Sequence, residues 1–350
     1  MVRFAIICVL FLAPTISLNI TDFRVANATE PSVFSQALPG YVYRFPEDFY
    51  SHDDFRIEWW YYTGNLEEVA TSRSFGYQLT FFRVALDRIS GNPNPSKWKV
   101  GHIYFAHMTL SDIAGEKFYY FERINRKGIG NAGADSQRLM VWNEDWSLEG
   151  KDNEHLLEAV ESGTGIKLQL APEKKLVVHG QDGISKKGSE AGNASHYFSY
   201  TRMKTSGTVF VDGKSYKVFG TSWMDHEYSS NQLNNELSGW DWFSLKLDDQ
   251  TELMLYQLRR KSGGIDSFSS GTFVSSDGVS RHIKRDEFTV ESSAQWKSKQ
   301  SGITYPAGWK LSLPGFGIKL SLSPDLNDQE LYDLRSNAAS YWEGSVSVEG

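Results

Sequence analysis

The amino-acid sequence predicts an all-β fold with two antiparallel β-barrel domains in tandem. The chain has 350 residues, a length that suits about two domains. Aromatic residues make up 14% of the sequence, and this composition favours half-buried strands. Short stretches alternate between apolar and polar residues and are separated by Gly, Asn, Asp and Pro, as in an antiparallel meander. Long stretches with helical periodicity are nearly absent.

The predicted strands follow one another at short intervals. Alternation predicts strands over residues 75–81, 103–107 and 216–224. Hairpin turns are predicted at three pairs of residues: Asp212-Gly213, Asp248-Asp249 and Asp277-Gly278. We expect residues 232–237 to form a short helix or a loop, and the polar residues 185–192 to form an exposed loop.

The first 17 residues have the features of a secretory signal peptide. Arg3 precedes a short apolar stretch, Pro14 ends it, and Thr15 and Ser17 suit the positions before a cleavage site. The apolar stretch is too short to span a bilayer, and no later segment is long enough. We therefore expect a secreted, extracellular protein, with an uncleaved anchor as the alternative.

Two similar motifs suggest where the domains divide. A carboxylate among aromatic residues occurs at 58–61 and again at 240–243, early in each half of the chain. We expect a signal peptide at 1–17, a mobile leader at 18–40, an N-terminal domain at 41–228 and a C-terminal domain at 229–350.

Composition excludes several kinds of chemistry. Cys8 is the only cysteine and lies in the expected signal peptide, so a mature chain would have no disulfide and no thiolate catalyst. The net charge of −7 and the lack of a Lys/Arg cluster argue against a nucleic-acid partner. Three sequons predict N-glycosylation of a secreted protein, at Asn19, Asn27 and Asn193.

The densest polar cluster in an apolar context is the segment 222–228. Strand alternation places Asp225 and Glu227 on the face of Trp223, and His226 on the opposite face with Met224 and Tyr228. An acid, a base and an imidazole at one place suit general acid–base catalysis. The alternative is a structural hydrogen-bond cluster that closes one end of a barrel.

Three further carboxylates lie among apolar residues. Alternation puts Asp241 on the face of Phe243 and Leu245, where burial would raise its pKa and suit it to act as a general acid. The alternative is a buried ion pair. Glu58 is either a pocket acid or the partner of a buried Arg such as Arg83, and a structural role is favoured for it and for Glu343.

The sequence gives little support for a metal or a hydrolase. His102 and His107 are five residues apart and fall on opposite faces of a strand, so they cannot both bind one metal. His226 could join one of them in a two-His, one-carboxylate site, which we regard as a minor alternative. The chain has no HExxH, GxSxG or Gly-rich phosphate-binding motif.

Several segments together resemble the carotenoid 1,2-hydratase (hydroxyneurosporene synthase)/AttH-like superfamily. They are spread over residues 55–350, and their order and spacing both fit: EWWYYTG at 58–64, FGYQLTFFR at 75–83, AHMTLSD at 106–112, GTSWMDHE at 220–227, GWDWF at 239–243 and YWEG at 341–344.

The resemblance implies two lipocalin-like barrels without a metal or an organic cofactor. It also implies either addition of water to an isoprenoid double bond or, as in fungal relatives, a pericyclic cyclisation. A secreted member of this length resembles those that hydrate the prenyl side chain of an isoflavonoid phytoalexin and so detoxify it, which would serve virulence. The family histidine maps onto His226, while Tyr228 stands where those enzymes carry Trp.

Residue roles follow as hypotheses for a hydratase. The acid role falls to Asp241 or Asp225, because the strand 253–257 has no Asp. His226 or Glu227 would position the water. Aromatic faces would stabilise the carbocation and hold the substrate, and we expect these residues to line the site: Trp223, Tyr228, Trp240, Trp242, Tyr256 and Glu58.

Two rival functions remain open at this point. A lipocalin-like carrier would return an apolar ligand unchanged, and a pericyclic cyclase would need no strong acid. The identity of the substrate and the oligomeric state do not follow from the sequence.

Overall fold

The computed structural model describes residues 3–11, 34–86, 101–127, 130–231, 236–332 and 340–350. In these residues the chain is almost entirely β-structure, with short 3-10 turns at Glu47–Phe49, Arg285–Glu287 and Pro314–Phe316. No helix in this part of the chain is long and apolar enough to cross a membrane. Asn19 and Asn27 lie outside the described residues, as do 232–235 of the expected short helix or loop.

The strands are numbered in chain order. The N-terminal half contains β1 Arg3–Phe11, β2 Ile57–Glu68, β3 Ser74–Ala85, β4 His102–Asp112, β5 Lys117–Arg126, β6 Ala132–Ala134, β7 Met140–Asn143, β8 Trp146–Lys151, β9 Glu154–Glu161, β10 Thr164–Pro172, β11 Val177–Val178, β12 Ser185–Lys186, β13 Ala194–Val211 and β14 Lys214–Ser229. The C-terminal half contains β15 Leu237–Lys246, β16 Glu252–Arg260, β17 Ser270–Val274, β18 Ser280–Ile283, β19 Thr289–Ser292, β20 Gln295–Lys297, β21 Thr304–Pro306, β22 Trp309–Leu313, β23 Ile318–Pro324, β24 Glu330–Leu331 and β25 Tyr341–Glu349.

The first sheet curls into a nearly closed barrel. Its strand order is β5-β4-β3-β2-β14-β13-β10-β9-β8-β7-β6, and β6 and β7 return to lie against β5. The long hairpin of β13 and β14 turns at Asp212-Gly213, where both residues have positive φ, at 49° and 80°. Such a turn matches the twist of the paired strands, as the sequence predicted. The predicted strands at 75–81, 103–107 and 216–224 lie within β3, β4 and β14.

The second sheet forms an open half-barrel with the order β18-β17-β16-β15-β1-β25-β23-β22-β19. Its middle strand, β1, comes from the expected signal peptide and pairs antiparallel with both β15 and β25. The long strand β14 of the first sheet ends at Ser229, and β15 of the second sheet begins at Leu237. The prediction of an all-β protein with two barrel-like domains is confirmed.

The three larger apolar clusters among the described residues hold the two sheets together. One fills the first barrel, and a second lies inside the half-barrel around Phe243 and Trp309. The third lies between the two sheets and consists mainly of aromatic residues: Tyr61, Tyr197, Trp223, Leu237, Trp242, Met254, Tyr256 and Leu258. We call this third set the interface cluster.

Three sequence expectations differ from the structure. Residues 34–40 of the expected mobile leader pack on the first domain, with Ala37 fully buried against Ile184. The stretch 185–192 is not simply an exposed loop, since it begins as β12 and buries Ser185 and Lys187. The Asn193 side chain is buried and its Nδ2 donates to Asn231 O at 3.0 Å, so in this fold it has no free amide for a glycan.

Candidate active site between the two sheets

Strand β14 divides the polar cluster at 222–228 between two environments. His226 and Tyr228 point into the first barrel, where Met224 and Tyr228 belong to the apolar core. Trp223 belongs to the interface cluster, and Asp225 on the same face contacts it. The two faces follow the predicted alternation, but the consequence is that the candidate residues form two separate sites.

Inside the first barrel, Glu58 is the centre of a buried ion network. Arg83 Nε lies 3.0 Å from Glu58 Oε2, and both side chains are fully buried. His52 Nδ1 and His226 Nε2 lie 2.8 and 2.9 Å from Glu58 Oε1. Glu58 is thus the partner of Arg83, as the structural alternative expected, and it is not placed to touch a substrate at the interface.

The charges of this network are set by its contacts. Burial alone would raise the pKa of Glu58, but the Arg83 charge and the two histidine hydrogen bonds hold it well below its usual range. Burial would lower the pKa of His52, but hydrogen bonds to Asp48 and Glu58 raise it to about 9. Burial lowers the pKa of His226, so this ring stays neutral. If Asp48 is ionised, the network contains two carboxylates, Glu58 and Asp48, and two cations, Arg83 and His52, so its net charge is zero.

Asp48 is ionised and extends the network towards the barrel mouth. It accepts hydrogen bonds from the Tyr41 hydroxyl at 2.5 Å and the Tyr228 hydroxyl at 2.8 Å. Burial would raise the pKa of Asp48, but its bonds to His52 and these donors lower it to about 2. The Tyr228 ring stacks on His52 with 3.7 Å between centroids. Tyr228 and His226 therefore belong to this buried network and lie away from Asp225, and the roles expected for them in substrate binding and catalysis stay predictions.

The same network contains the donor set closest to a metal site in the described residues. One ligand atom each of His52, Glu58 and His226 lies within 4.8 Å of the others. The cationic Arg83 on Glu58 and the protonated His52 oppose a divalent cation at this position, because both add positive charge. The histidines considered from sequence, His102 and His107, are elsewhere, beside Asp53 and between Glu122 and Tyr341 respectively.

The second site centres on Asp225, at the interface between the sheets. Its Oδ1 accepts hydrogen bonds from Trp223 Nε1 at 2.6 Å and from the Ser199 hydroxyl, and its Oδ2 accepts one from the Tyr197 hydroxyl at 3.0 Å. All three donors are neutral groups. Among the described residues, no guanidinium or ammonium pairs with this carboxyl.

Burial without a countercharge sets the pKa of Asp225. Removal from water raises it to about 7, although the bonds from Ser199, Trp223 and Tyr197 pull the other way. The neighbouring Glu227 adds a further increase. At neutral pH a large fraction of Asp225 is therefore a neutral acid, and its proton is available for transfer.

Aromatic side chains of both sheets line this carboxyl. Trp242 of β15 donates from Nε1 to the Tyr197 hydroxyl at 3.1 Å. Its ring packs edge-on against Tyr61 and Trp223, with centroids 5.3 and 6.3 Å apart. Trp240 is half-buried at the margin of the same cluster. These electron-rich rings can stabilise a positive charge near Asp225.

Glu227 follows Asp225 on the same face and meets a buried lysine. It accepts a hydrogen bond from Ser195, and Lys187 Nζ lies 3.6 Å from its Oε1. Lys187 Nζ also lies 3.8 Å above the ring centre of Tyr256. Burial raises the pKa of Glu227, and the Lys187 charge partly offsets this.

A cleft of about 540 Å³ opens beside this corner of the site. Both domains line it, with Ile184 and Lys186 on one side and Phe268, Ser270 and His282 on the other. Ser270 donates to the Tyr256 hydroxyl at 2.8 Å, so Tyr256 separates the cleft from Lys187. The structure therefore places Tyr256 near a ligand-sized opening.

Asp241 does not share this environment. It points into the half-barrel, and Arg259 Nη1 lies 2.9 Å from its Oδ1. Burial still raises the pKa of Asp241 to about 6, and the Arg259 charge only moderates the effect. Of the two alternatives left open for Asp241, the structure shows the buried ion pair, and Trp240 and Trp242 lie on the opposite face of β15. Glu343, the other carboxylate, accepts a 2.5 Å hydrogen bond from Tyr61.

Several residues of both sites were not found from the sequence. Lys187 and Ser199 lie outside every motif, and only the fold brings them to Asp225. His52 and Asp48 occur in a turn-rich stretch without periodicity. The visible indication was one histidine and four hydroxyl side chains in the stretch 195–200, of which alternation places Ser195, Tyr197 and Ser199 on one face of the strand.

The fold and this site define a two-domain, lipocalin-like β-protein with a buried acid at the junction of its sheets. The AttH-like family model matches residues 36–350, so the chain belongs to the AttH-like family. A crystal structure of an AttH protein from Nitrosomonas europaea is 30% identical with a TM-score of 0.80, and the match covers 91% of this chain and 99% of that one.

A second solved structure shares the fold at a greater distance. Kievitone hydratase from Nectria haematococca is 15% identical with a TM-score of 0.63, and the match covers 91% of this chain and 96% of that one. A comparison with curated protein sequences finds no match.

Proposed function

We propose that this protein is a hydratase that adds water to the double bond of a prenyl side chain and gives a tertiary alcohol. One observation carries the proposal: Asp225 is a buried carboxyl without a countercharge, and it is surrounded by aromatic rings. Protonating an unactivated alkene requires a dry acid of this kind.

The proposed reaction has two steps. Asp225 delivers its proton to the less substituted alkene carbon and becomes a carboxylate, which leaves a tertiary carbocation. The faces of Trp223, Trp242 and Tyr61 stabilise this cation. Water then adds to the cation, and the extra proton of the oxonium passes to Glu227 or to solvent in the cleft. Overall, one alkene and one water give one tertiary alcohol, and Asp225 is left as a carboxylate that must regain a proton.

The shape of the site supports an apolar substrate of moderate size. The cleft of about 540 Å³ lies within the range of small-molecule sites. The cleft is lined mostly by polar residues, with apolar contacts from Ile184 and Phe268, which suits an aromatic skeleton that carries hydroxyl groups. We propose that the prenyl tail passes Tyr256 and Lys187 towards Asp225.

For the substrate we propose a prenylated isoflavonoid phytoalexin, which hydration would detoxify. The fold shared with kievitone hydratase is compatible with this choice. The expected signal peptide supports secretion, and intact-mass analysis of protein from the culture medium of a eukaryotic host tests it: cleavage after residue 17 is expected, and a full-length mass would contradict it.

The decisive experiment compares Asp225→Asn with Asp241→Asn. We incubate each protein with a panel of prenylated isoflavonoids and follow the gain of one water by mass spectrometry. Asp225→Asn should lose at least about 100-fold in rate. Asp241→Asn should keep most activity, because Asp241 faces the half-barrel.

Other outcomes would point to other functions. Near-normal turnover by Asp225→Asn would overturn the assignment of the acid. An unchanged ligand that binds tightly would indicate a carrier. Conversion without a change of mass that survives Asp225→Asn would indicate a pericyclic cyclase.

A further inference from the structure

A line of hydrogen bonds leads away from Asp225 across the interface between the sheets. The Ser199 hydroxyl, which donates to Asp225, lies 2.7 Å from His179 Nε2. His179 Nδ1 lies 2.8 Å from Thr272 Oγ1 of β17. His179 therefore joins a carboxyl of the first domain to a hydroxyl of the second. All four side chains are buried.

The donors in this line have one consistent direction. Ser199 gives its only hydroxyl proton to Asp225, so its oxygen must accept the proton of His179 Nε2. His179 Nδ1 is then the acceptor for the Thr272 hydroxyl. Every proton points towards Asp225, which is the arrangement needed to return a proton to a carboxylate.

His179 is held in the state that can pass a proton on without keeping it. Burial lowers the pKa of His179 to about 3, and the positive charges of Lys187 and His282 act in the same direction. The ring therefore stays neutral, with one donor and one acceptor nitrogen. It packs against Tyr197 with 4.2 Å between centroids, which fixes its orientation.

Thr272, at the far end of the line, is itself buried, and its cross-strand neighbour lines the cleft. Thr272 is paired across the strands with His282 of β18, and paired residues project from the same side of a sheet. His282 lines the cleft of about 540 Å³, and its buried Nδ1 has no hydrogen-bond partner. A water molecule in the cleft can supply that partner.

We propose that His179 is a positioning residue that returns a proton from the cleft to Asp225 after each turnover, through Ser199. The proposal rests on the proposed function for its purpose, but the proton path can be measured without a substrate. In each return the Thr272 hydroxyl protonates His179 Nδ1, Nε2 gives its proton to Ser199, and Ser199 gives its own to Asp225. A hydronium ion that enters from the cleft, carrying the proton released by the substrate oxonium, replaces the proton of Thr272. The His179 ring then returns to the tautomer with its proton on Nε2, so no net charge is left behind.

The first test measures how fast the Asp225 carboxyl exchanges its proton for deuterium. The infrared carbonyl band of the neutral acid is identified by its loss in Asp225→Asn, and its shift is timed after mixing with D2O. His179→Phe keeps a ring against Tyr197 but removes both nitrogens. We expect exchange to slow by about 100-fold.

A buried histidine elsewhere provides the matched control. His155 lies in the first barrel, its Nδ1 is 2.7 Å from the Tyr62 hydroxyl, and burial lowers its pKa to about 4. His155→Phe should lose a comparable packing contact and leave exchange at Asp225 unchanged. Equal rates in His179→Phe and the wild type would overturn the proposal.

A second variant guards against a folding defect in His179→Phe. Thr272→Val keeps the shape of the side chain and the bond between Ser199 and Asp225, and it breaks only the link towards the cleft. It should slow exchange without moving the carbonyl band. Fast exchange in a folded Thr272→Val protein would also contradict the path.

The kinetic arm separates this proposal from the proposed function. With a substrate that the wild-type protein hydrates, His179→Phe should complete its first turnover at the normal rate and slow only in later turnovers. Added imidazole should restore the later turnovers of His179→Gly. If no substrate is hydrated but the exchange results hold, the proton path stands and the hydratase proposal fails. If no carbonyl band depends on Asp225, both fail.

Discussion

Two buried carboxyls on adjacent strands have pKa values shifted in opposite directions because their neighbours differ. Glu58 of β2 faces Arg83 and two histidines, so it is ionised. Asp225 of β14 faces neutral donors, so burial raises its pKa to about 7. Both residues are buried carboxyls, and the charge of Arg83 beside Glu58 but not beside Asp225 decides which of them can act as an acid.

We predict that Glu58→Gln strongly destabilises the first barrel. The change leaves the cations of Arg83 and His52 buried without their shared anion, a situation that costs about 3–5 kcal/mol. Chemical unfolding followed by tryptophan fluorescence measures the loss. Glu158→Gln, which breaks an exposed pair with Lys167, should cost no more than about 0.5 kcal/mol, and a similar loss in both variants would refute the prediction.

His52 gives the stability a pH dependence of known sign. Its folded pKa of about 9 is above the ordinary value of 6.5, so its stabilising contribution is complete below pH 6.5 and is lost as the pH rises through 9. The raised pKa of Asp225 also favours low pH, but that loss occurs lower, between 3.8 and about 7. From pH 7 to 9.5 the measured slope of unfolding free energy against pH should be more negative in the wild type than in His52→Gln. Burial lowers the pKa of Lys246 to about 7, which adds an opposing, rising contribution in both proteins over the same range. An equal slope in both proteins would assign the effect to other groups.

At the scale of elements, β14 is the strand that organises both sites. It pairs with β13 on one side and β2 on the other, and it sends alternate side chains into the barrel and into the interface. Gly220 allows this close pairing, because a Cβ there would lie 2.1 Å from Asn65 O of β2.

We predict that Gly220→Ala costs more stability than Gly213→Ala. At Gly220 the strands must separate, which costs at least about 2 kcal/mol. At Gly213, with φ of 80°, a Cβ meets nothing within 4 Å, so only backbone strain of about 1 kcal/mol is expected. Urea unfolding of both variants tests the order, and the reverse order would show that the contact between β14 and β2 is loose.

Local pattern was enough to predict the strands and their faces, but not the contacts between them. Alternation along 222–228 separated Asp225 from His226 correctly, because that depends only on strand geometry. The partner of Asp241 depended on the pairing of β15 with β16, which brought Arg259 within reach. Lys187, which pairs with Glu227, lies in the stretch 185–192, whose polar composition predicted only an exposed loop. Such long-range register is not encoded in local periodicity.

For the whole molecule, the position of β1 makes a testable difference to the second sheet. A chain that begins at residue 18 lacks the strand that pairs with β15 and β25. We expect faster hydrogen exchange of backbone amides in Leu237–Lys246 and Tyr341–Glu349, with β2 and β14 unaffected. Unchanged protection of both segments would show that β15 and β25 pair directly with each other when residues 1–17 are absent.

The place of β1 also constrains when the half-barrel can be assembled. Residues 3–11 are synthesised long before residues 341–349, which form one of their neighbouring strands. At roughly 5–20 residues per second, the nascent strand waits on the order of 20–70 seconds for this neighbour. The first barrel can form during that interval, whereas any version of the second sheet that includes both β1 and β25 is completed only after residues 341–349 have been made. If a translocon bound residues 3–11 as a signal peptide, these residues would be unavailable to pair with β25 by the time that strand is made.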